Sequence, residues 1–324
     1  MNSSISSSDP RGFDGRFLLR MTLAAGLVGF LFLLWSEVFL RTKVIAVSPY
    51  YQQQQVFQTA QSIPAVLIGD SHTSQDVVAS PDILNFGLAG ENIQQMHSKA
   101  RFVLVAHPEL RAVILQASPH MFAEYRYTEK GRRDYDQLLG RTPLSYLWSD
   151  SYLRDRIGWY LKKFITKGSL SLPGTFTPYG SLLSDYEMKE PVSVKAERVV
   201  VARVKTHLVK RPLEHSAHFQ AYRDMLTELR SRNIAVCMVE YPVTPIHRRI
   251  VAEMAPEYPA IRRQFEALAL EFGATYKSYW SAIDDYRLYR NADHLNRHGA
   301  AALTPVLMAD CGIGPQRQAA VAHQ

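Results

Sequence analysis

Pro64-Ala-Val-Leu-Ile-Gly-Asp-Ser-His-Thr73 is the stretch from which the fold is read. Four apolar residues, Ala65 to Ile68, form a run with the length of a buried strand. Gly69 ends it, and Asp70, Ser71 and His72 follow at once. A small polar nucleophile at the carboxyl end of a buried strand lies where open α/β sheets receive their ligands. A hydroxyl there can use the backbone N–H groups of the next turn to hold a developing oxyanion. The same residues also suit an ordinary strand closing in a Gly-Asp-Ser turn, so alone they fix no function.

Working outward, residues 83–88 read as a second strand, interrupted by Gly87 and closed by Gly90. Residues 91–106 have helical spacing, with Ile93, Met96, Ala100, Val103 and Leu104 on one side. Residues 112–117 make a third strand. The rhythm lapses between about 125 and 215, where Tyr146, Trp148, Tyr152, Trp159 and Tyr160 mingle with Arg154, Arg156, Lys162 and Lys163. That stretch reads as a helical and loop insertion; it suits sugar stacking, a membrane surface, or simply a core-facing aromatic stripe. A helix at 216–231, a strand at 234–239, a loop at 240–245, a helix at 260–272 and a short strand at 274–276 follow. Such alternation predicts an α/β domain of three α/β/α layers around a mainly parallel sheet.

Asn291-Ala-Asp-His-Leu-Asn-Arg-His-Gly-Ala300 supplies an acid and an imidazole ahead of an Ala-rich helix running from Gly299 to about Asp310. A serine nucleophile needs a base, and the base needs an acceptor that fixes its tautomer. Gly69-Asp70-Ser71 after a strand, Asn85-Phe-Gly-Leu-Ala-Gly90, and Asp293-His294-Leu295-Asn296, in that order, resemble the SGNH (GDSL-type) hydrolase superfamily across roughly residues 63–312.

The resemblance implies Ser71 as nucleophile and His294 as general base, with His298 the weaker candidate. Family members place an aspartate three residues before the histidine, where this chain has Asn291; Asp293 stands immediately before His294. Either Asp293 or Asn291 therefore orients the ring. For the oxyanion, the family pattern points to the N–H groups of Ser71 and Gly90. The third donor is usually an asparagine, but this chain reads Gln116-Ala-Ser-Pro-His-Met-Phe122, which leaves Ser118 and His120 as replacements. The missing asparagine, a single N-terminal anchor (residues 21–40, below) and the Asp293-His294-Leu295-Asn296 ending together resemble the branch that acylates envelope polymers, such as alginate O-acetylation and teichoic-acid D-alanyl-transfer proteins. That branch implies O-acyl, most simply O-acetyl, transfer to a cell-envelope or exported polysaccharide, with a multi-span membrane O-acyltransferase as acyl donor. An anchored carbohydrate or acyl esterase, and a non-catalytic polysaccharide-binding or assembly subunit, are the alternatives.

The N-terminal region sets the location. Residues 1–20 are polar and Ser-rich at first, then carry Arg11, Arg16 and Arg20. Residues 21–40 are apolar apart from Glu37 and long enough to span a bilayer. Since both flanks are basic, orientation is set only weakly in favour of the N-in form. No small-x-small cleavage site follows the run, as a removed signal peptide would require. The expected organisation is a cytoplasmic tail at 1–20, a transmembrane anchor at 21–40, a linker at 41–62, the domain at 63–312 and a tail at 313–324. The domain would then be periplasmic on a bacterial inner membrane. With 324 residues, 47% of them hydrophobic, the chain has ample material for one such domain. The net charge of +7 is scattered and no nucleic-acid motif is present, so nucleic acid is not an expected partner. No metal-type Cys/His spacing appears, and no cofactor or metal is expected. Cys237 and Cys311 are expected as buried free thiols, with a disulfide the alternative in an oxidising compartment.

Overall fold

The computed structural model describes residues 15–39, 49–60, 62–127, 174–209 and 212–313, apart from 192 and 217, together with positions 42, 162, 165 and 166. The aromatic and basic residues at 146–160 that sequence assigns to the insertion lie outside the described residues. Two compact units are present, residues 1–47 with 144–170, and residues 48–143 with 171–324. In the first, helix α1 (Gly15–Phe39) is 25 residues long, exposed along its length and apolar enough to cross a membrane or serve as a signal sequence.

The second unit is the α/β domain. Helix α2 (Pro49–Thr59) leads to strand β1 (Ala65–Ile68), the six-residue helix α3 (Ser71–Asp76) and strand β2 (Leu84–Asn85). Helix α4 (Ile93–Ala106) and strand β3 (Ala112–Gln116) follow, then a hairpin of β4 (Thr175–Phe176) and β5 (Leu182–Leu183). Next come α5 (Val194–His207), α6 (Phe219–Ser231), β6 (Ala235–Glu240), α7 (Pro245–Met254), α8 (Tyr258–Phe272) and β7 (Thr275–Ser278). A second small hairpin, β8 (Tyr289–Asn291) and β9 (His294–Leu295), precedes the last helix α9 (Arg297–Asp310).

Five strands pair in the order β2-β1-β3-β6-β7, every pair parallel. Period-two alternation explains how a sheet this apolar is covered on both faces. Val66 and Ile68 of β1, Val113 and Leu115 of β3 and Met238 of β6 enter one core cluster, with α4, α6 and α8. Ala65, Leu67, Ile114, Cys237 and Val239 point the other way, into a cluster with Leu303 and Leu307 of α9. The domain is thus three-layered, with a parallel sheet in the middle.

Four local readings change. The second strand is confined to Leu84–Asn85, because the Asn85 side chain bends the chain: its Oδ1 accepts from Gly87 N at 2.9 Å and its Nδ2 donates to Thr73 O at 2.6 Å. Gly87 is packed so closely on α3 that a Cβ would come within 2.7 Å of Ser74 N. The loop at 240–245 ends at once in α7, since Thr244 caps it and Pro245 sits at the favoured first helical position. The last helix starts at Arg297, two residues early, because Asn296 accepts from the N–H groups of His298 and Gly299. Finally, Cys237 and Cys311 are not free thiols: they form a disulfide with Cα atoms 5.5 Å apart, joining β6 to the end of α9. Spacing alone could not show that α9 returns to the strand it bonds.

Candidate active site

The candidate residues lie at the carboxyl ends of β1 and β3, on the loop after β2, and on the β8–β9 hairpin and the helix that follows it. Asp70 caps α3, accepting from His72 N at 2.9 Å, so Ser71 stands at the helix's first position, half-buried. A helix's first N–H has no acceptor within the helix. Gly69 cannot carry a side chain here, because a Cβ would fall 2.0 Å from Thr73 Oγ1 and 2.4 Å from Gln116 Oε1. Gln116 Oε1 in turn accepts from Asp70 N at 2.7 Å and Thr73 Oγ1 at 3.1 Å, tying the turn to the end of β3.

His294 is buried, and its Nδ1 faces two oxygens: Asp293 Oδ1 at 3.0 Å and Asn291 Oδ1 at 3.2 Å. The Asn291 oxygen already accepts from the N–H groups of Asp293 and His294, at 3.1 and 3.0 Å. The carboxylate is closer and charged, hence the stronger acceptor. Asn291 shapes the turn, and Asp293 is the residue positioned to hold the ring. The far nitrogen, His294 Nε2, is buried with no hydrogen-bond partner. Among the described residues no hydrogen bond joins it to Ser71 Oγ. The connection is through the next residue: the His72 ring stacks on the His294 ring, centroids 4.4 Å apart.

Gly90 lies on the exposed loop after β2 with φ of +84°, and a Cβ there would meet nothing within 4 Å. Glycine is needed for the backbone conformation, and the loop stays open on that side. Ser118 is buried at the start of a 3-10 turn (Pro119–Phe122) and makes no capping hydrogen bond. His120, on that turn, is committed elsewhere: its Nε2 lies 2.9 Å from Asp70 Oδ2. His298 belongs to the first turn of α9.

Sequence reasoning missed the residues around these groups. Asp70 also contacts His72 Nδ1 at 3.2 Å and forms an ion pair with Arg126. Asp293 lies 2.5 Å from Arg203 Nε and 3.3 Å from His207 Nδ1, both on α5, and 3.8 Å from His72 Nε2. His72 thus stands between two buried carboxylates. The rings of Tyr125, His207, His120, His72 and His294 follow one another at centroid spacings of 5.5, 5.3, 4.5 and 4.4 Å. The available signals were slight: His72 directly follows Ser71, and Arg203 and His207 share the i, i+4 spacing of one helix face.

Burial alone would raise the carboxyl groups; at Asp70 and Asp293 the paired side chains win, and at Asp76 burial does. Burial works against Asp70, yet Arg126 and His120 hold its pKa well below the usual carboxylate range. Burial likewise opposes Asp293, and His294, His207 and Arg203 hold it well below. Burial pushes Asp76 well above that range, with only the Leu295 N–H and His72 working the other way. His72 is raised despite burial, by its hydrogen bond and attraction to Asp70. Burial lowers His294 to about 4 even with Asp293 beside it, assisted by the positive fields of His72 and Arg203. At neutral pH His294 is a neutral imidazole with Nδ1 tied to a carboxylate, the form that a general base requires.

Two groups of ligand-type atoms, Asp70–His72–His120 and His72–Asp293–His294, each lie within 4.8 Å. Their geometry does not suit an ion. An imidazole nitrogen offers its lone pair in the ring plane, whereas His72 and His294 stack nearly parallel, at 19°. Each carboxylate is also already paired with a guanidinium.

No family model matches the sequence, and no curated protein sequence matches it. Solved structures do. A GDSL-like lipase from Bacteroides thetaiotaomicron is similar at 10% identity and a TM-score of 0.40, over 82% of this chain and 97% of that one. A variant of an acetyl xylan esterase from Geobacillus stearothermophilus is similar at 10% identity and a TM-score of 0.35, over 77% of this chain and 94% of that one.

Proposed function

We propose that the protein is a membrane-anchored, extracytoplasmic SGNH-type O-acyltransferase, most simply an acetyltransferase, that modifies a cell-envelope or exported polysaccharide. The observation that carries the catalytic part is the state of His294: Nδ1 is held by Asp293, while Nε2 is buried without a partner beside the helix that begins with Ser71. In this reading Ser71 Oγ meets that nitrogen when substrate is bound, which would complete a nucleophile–base–acid unit.

The chemistry runs in two halves. Ser71 Oγ attacks the acyl carbonyl as its proton passes to His294 Nε2. The oxyanion is held by the N–H groups of Ser71 and Gly90. His294 then returns the proton to the departing alcohol, leaving an acyl-serine. A sugar hydroxyl gives its proton to His294 and takes the acyl group, freeing Ser71. The donor in this reading is a multi-span membrane O-acyltransferase that presents the acyl group outside the cytoplasm.

Location draws support from two independent features. Helix α1 has the length and composition of an anchor, and the Cys237–Cys311 disulfide belongs to an oxidising compartment. Half-exposed Ser71 also admits water as acceptor, which would make the protein an anchored esterase. Purified full-length protein is assayed with p-nitrophenyl acetate, with Ser71→Ala as control, and polymer acylation is measured in a deletion strain. Serine-dependent turnover together with lost polymer acylation supports the transferase. Serine-dependent turnover with excess acylation in the deletion strain favours the esterase. Equal turnover by the variant would leave a non-catalytic binding subunit. A periplasm-dependent reporter fused after His323 tests the orientation.

A further inference from the structure

Asp293 and His294 are consecutive, at the entry to strand β9, where neighbouring side chains ordinarily point to opposite faces. Their contact therefore needs support from outside the hairpin. It comes from α5, in the interrupted middle of the chain. Arg203 Nε lies 2.5 Å from Asp293 Oδ1; its Nη2 also lies 3.2 Å from His294 Nδ1, which cannot accept from it while donating its proton to Asp293. His207, one turn further along the same face, places Nδ1 3.3 Å from Asp293 Oδ2.

We propose that α5 is a working part of the active site, in which Arg203 and His207 are positioning residues that hold Asp293 against His294. The proposal rests on the serine reading above and deepens it, assigning a role to a segment that the reaction otherwise leaves idle. The guanidinium compensates the charge of the buried carboxylate and limits where it can lie. His207 lies beside the second oxygen, at 3.3 Å and without an aligned hydrogen bond. Neither residue reaches the reacting atoms; both act through Asp293.

The helix is held by other side chains. Val200 and Val204 are buried in a cluster with Ile246, Ile250 and Val251 of α7. Substituting Arg203 therefore leaves α5 docked, and the test separates positioning from folding. The groups around His294 are known from every side. Asp70, His72 and Asp76 come from the α3 segment, and His120 from the 3-10 turn. Arg203 and His207 face it from α5, His247 from α7, and Asp293 and Arg290 from its own hairpin. Of these, Arg203 opposes protonation of the His294 ring.

Arg203→Gln, Arg203→Lys and His207→Gln are compared with wild type in detergent-solubilised full-length protein. With p-nitrophenyl acetate, Arg203→Gln should lower kcat about ten- to a hundredfold, less than the roughly 10⁴-fold that follows loss of proper orientation in a serine triad. KM should change little. Arg203→Lys should recover most of the rate, and His207→Gln should lose less than Arg203→Gln. Selective ¹⁵N-histidine NMR, assigned with His294→Gln, reads the base independently of turnover. In Arg203→Gln the His294 ring should lose its fixed Nδ1–H tautomer, read from its two ¹⁵N shifts, because Asp293 is no longer held against it. An unchanged tautomer, or kcat within twofold of wild type in a protein whose Ser71→Ala form is inactive, overturns the proposal. Wild-type turnover in Ser71→Ala instead overturns the serine reading, and the NMR tautomer still decides whether Arg203 acts on His294.

Discussion

His72 and His294 lie face to face, ring centroids 4.4 Å apart and 19° from parallel, although one follows the first sheet strand and the other precedes the last helix. The contact puts the residue after Ser71 directly on the proposed base. Ser71→Ala, His294→Ala and the double variant should therefore show similar residual activity, each reduced at least roughly 10³-fold, because residues that act as a unit lose activity non-additively. Steady-state kinetics on the three proteins checks this; additive losses in the double variant would separate the two residues.

The base should stay competent in acid. Its folded-state pKa is about 4, below the ordinary histidine value of 6.5. Activity needs the neutral ring, so it is present above that value and falls as pH drops through it. The acid limb of kcat/KM should lie near 4; a limb near 6.5 would mean that the burial of His294 is not kept in the working enzyme.

Gly90→Val should abolish turnover without unfolding the domain. The residue's φ of +84° is hostile to a β-branched side chain, so the loop must rearrange, although the space around it is empty. Turnover at the wild-type level in a folded variant would remove Gly90 from the oxyanion site.

Lys99 is fully buried, 2.7 Å from Glu91 and 2.9 Å from Gln53 Oε1, and donates to Phe86 O at 2.5 Å. It ties α2 and the loop after β2 to α4. Lys99→Met breaks this buried ion pair and should cost about 3–5 kcal/mol. Burial lowers the lysine to about 8, so charging it opposes folding below that pH, and this cost should fade as pH rises from about 8 toward 10.5. Denaturant unfolding of both proteins across that range measures each effect.

Replacing Cys237 and Cys311 together by serine should lower stability by about 4 kcal/mol, since the bond closes a loop of 74 residues. Unfolding with and without reductant provides the comparison. Wild-type protein that titrates two free thiols when denatured without reductant would contradict the bond.

Much of the scaffold was legible because its signals are local. The apolar run at Ala65–Ile68 and the spacing of Ile93, Met96, Ala100, Val103 and Leu104 each report burial directly, and all nine residues are buried. Asp293 and His294 were legible as an acid beside an imidazole. What could not be read was which side chains from distant segments arrive beside them. Arg203, His207 and Arg126 look like solvated charges in sequence, and only the packing of α5 and of a second 3-10 turn (Glu124–Tyr127) brings them against buried carboxylates. The short β2 had a visible cause in Asn85, but its hydrogen bonds depend on Thr73 of a different element.

The disulfide has a consequence for durability. His294 lies on the stretch of chain between Cys237 and Cys311. A single proteolytic cut anywhere in that stretch leaves both pieces covalently joined, so the fragment carrying the imidazole cannot diffuse away. In the extracytoplasmic setting proposed above, where a damaged chain would meet proteases without ATP-driven chaperones at hand, the bond would keep a nicked molecule's parts together.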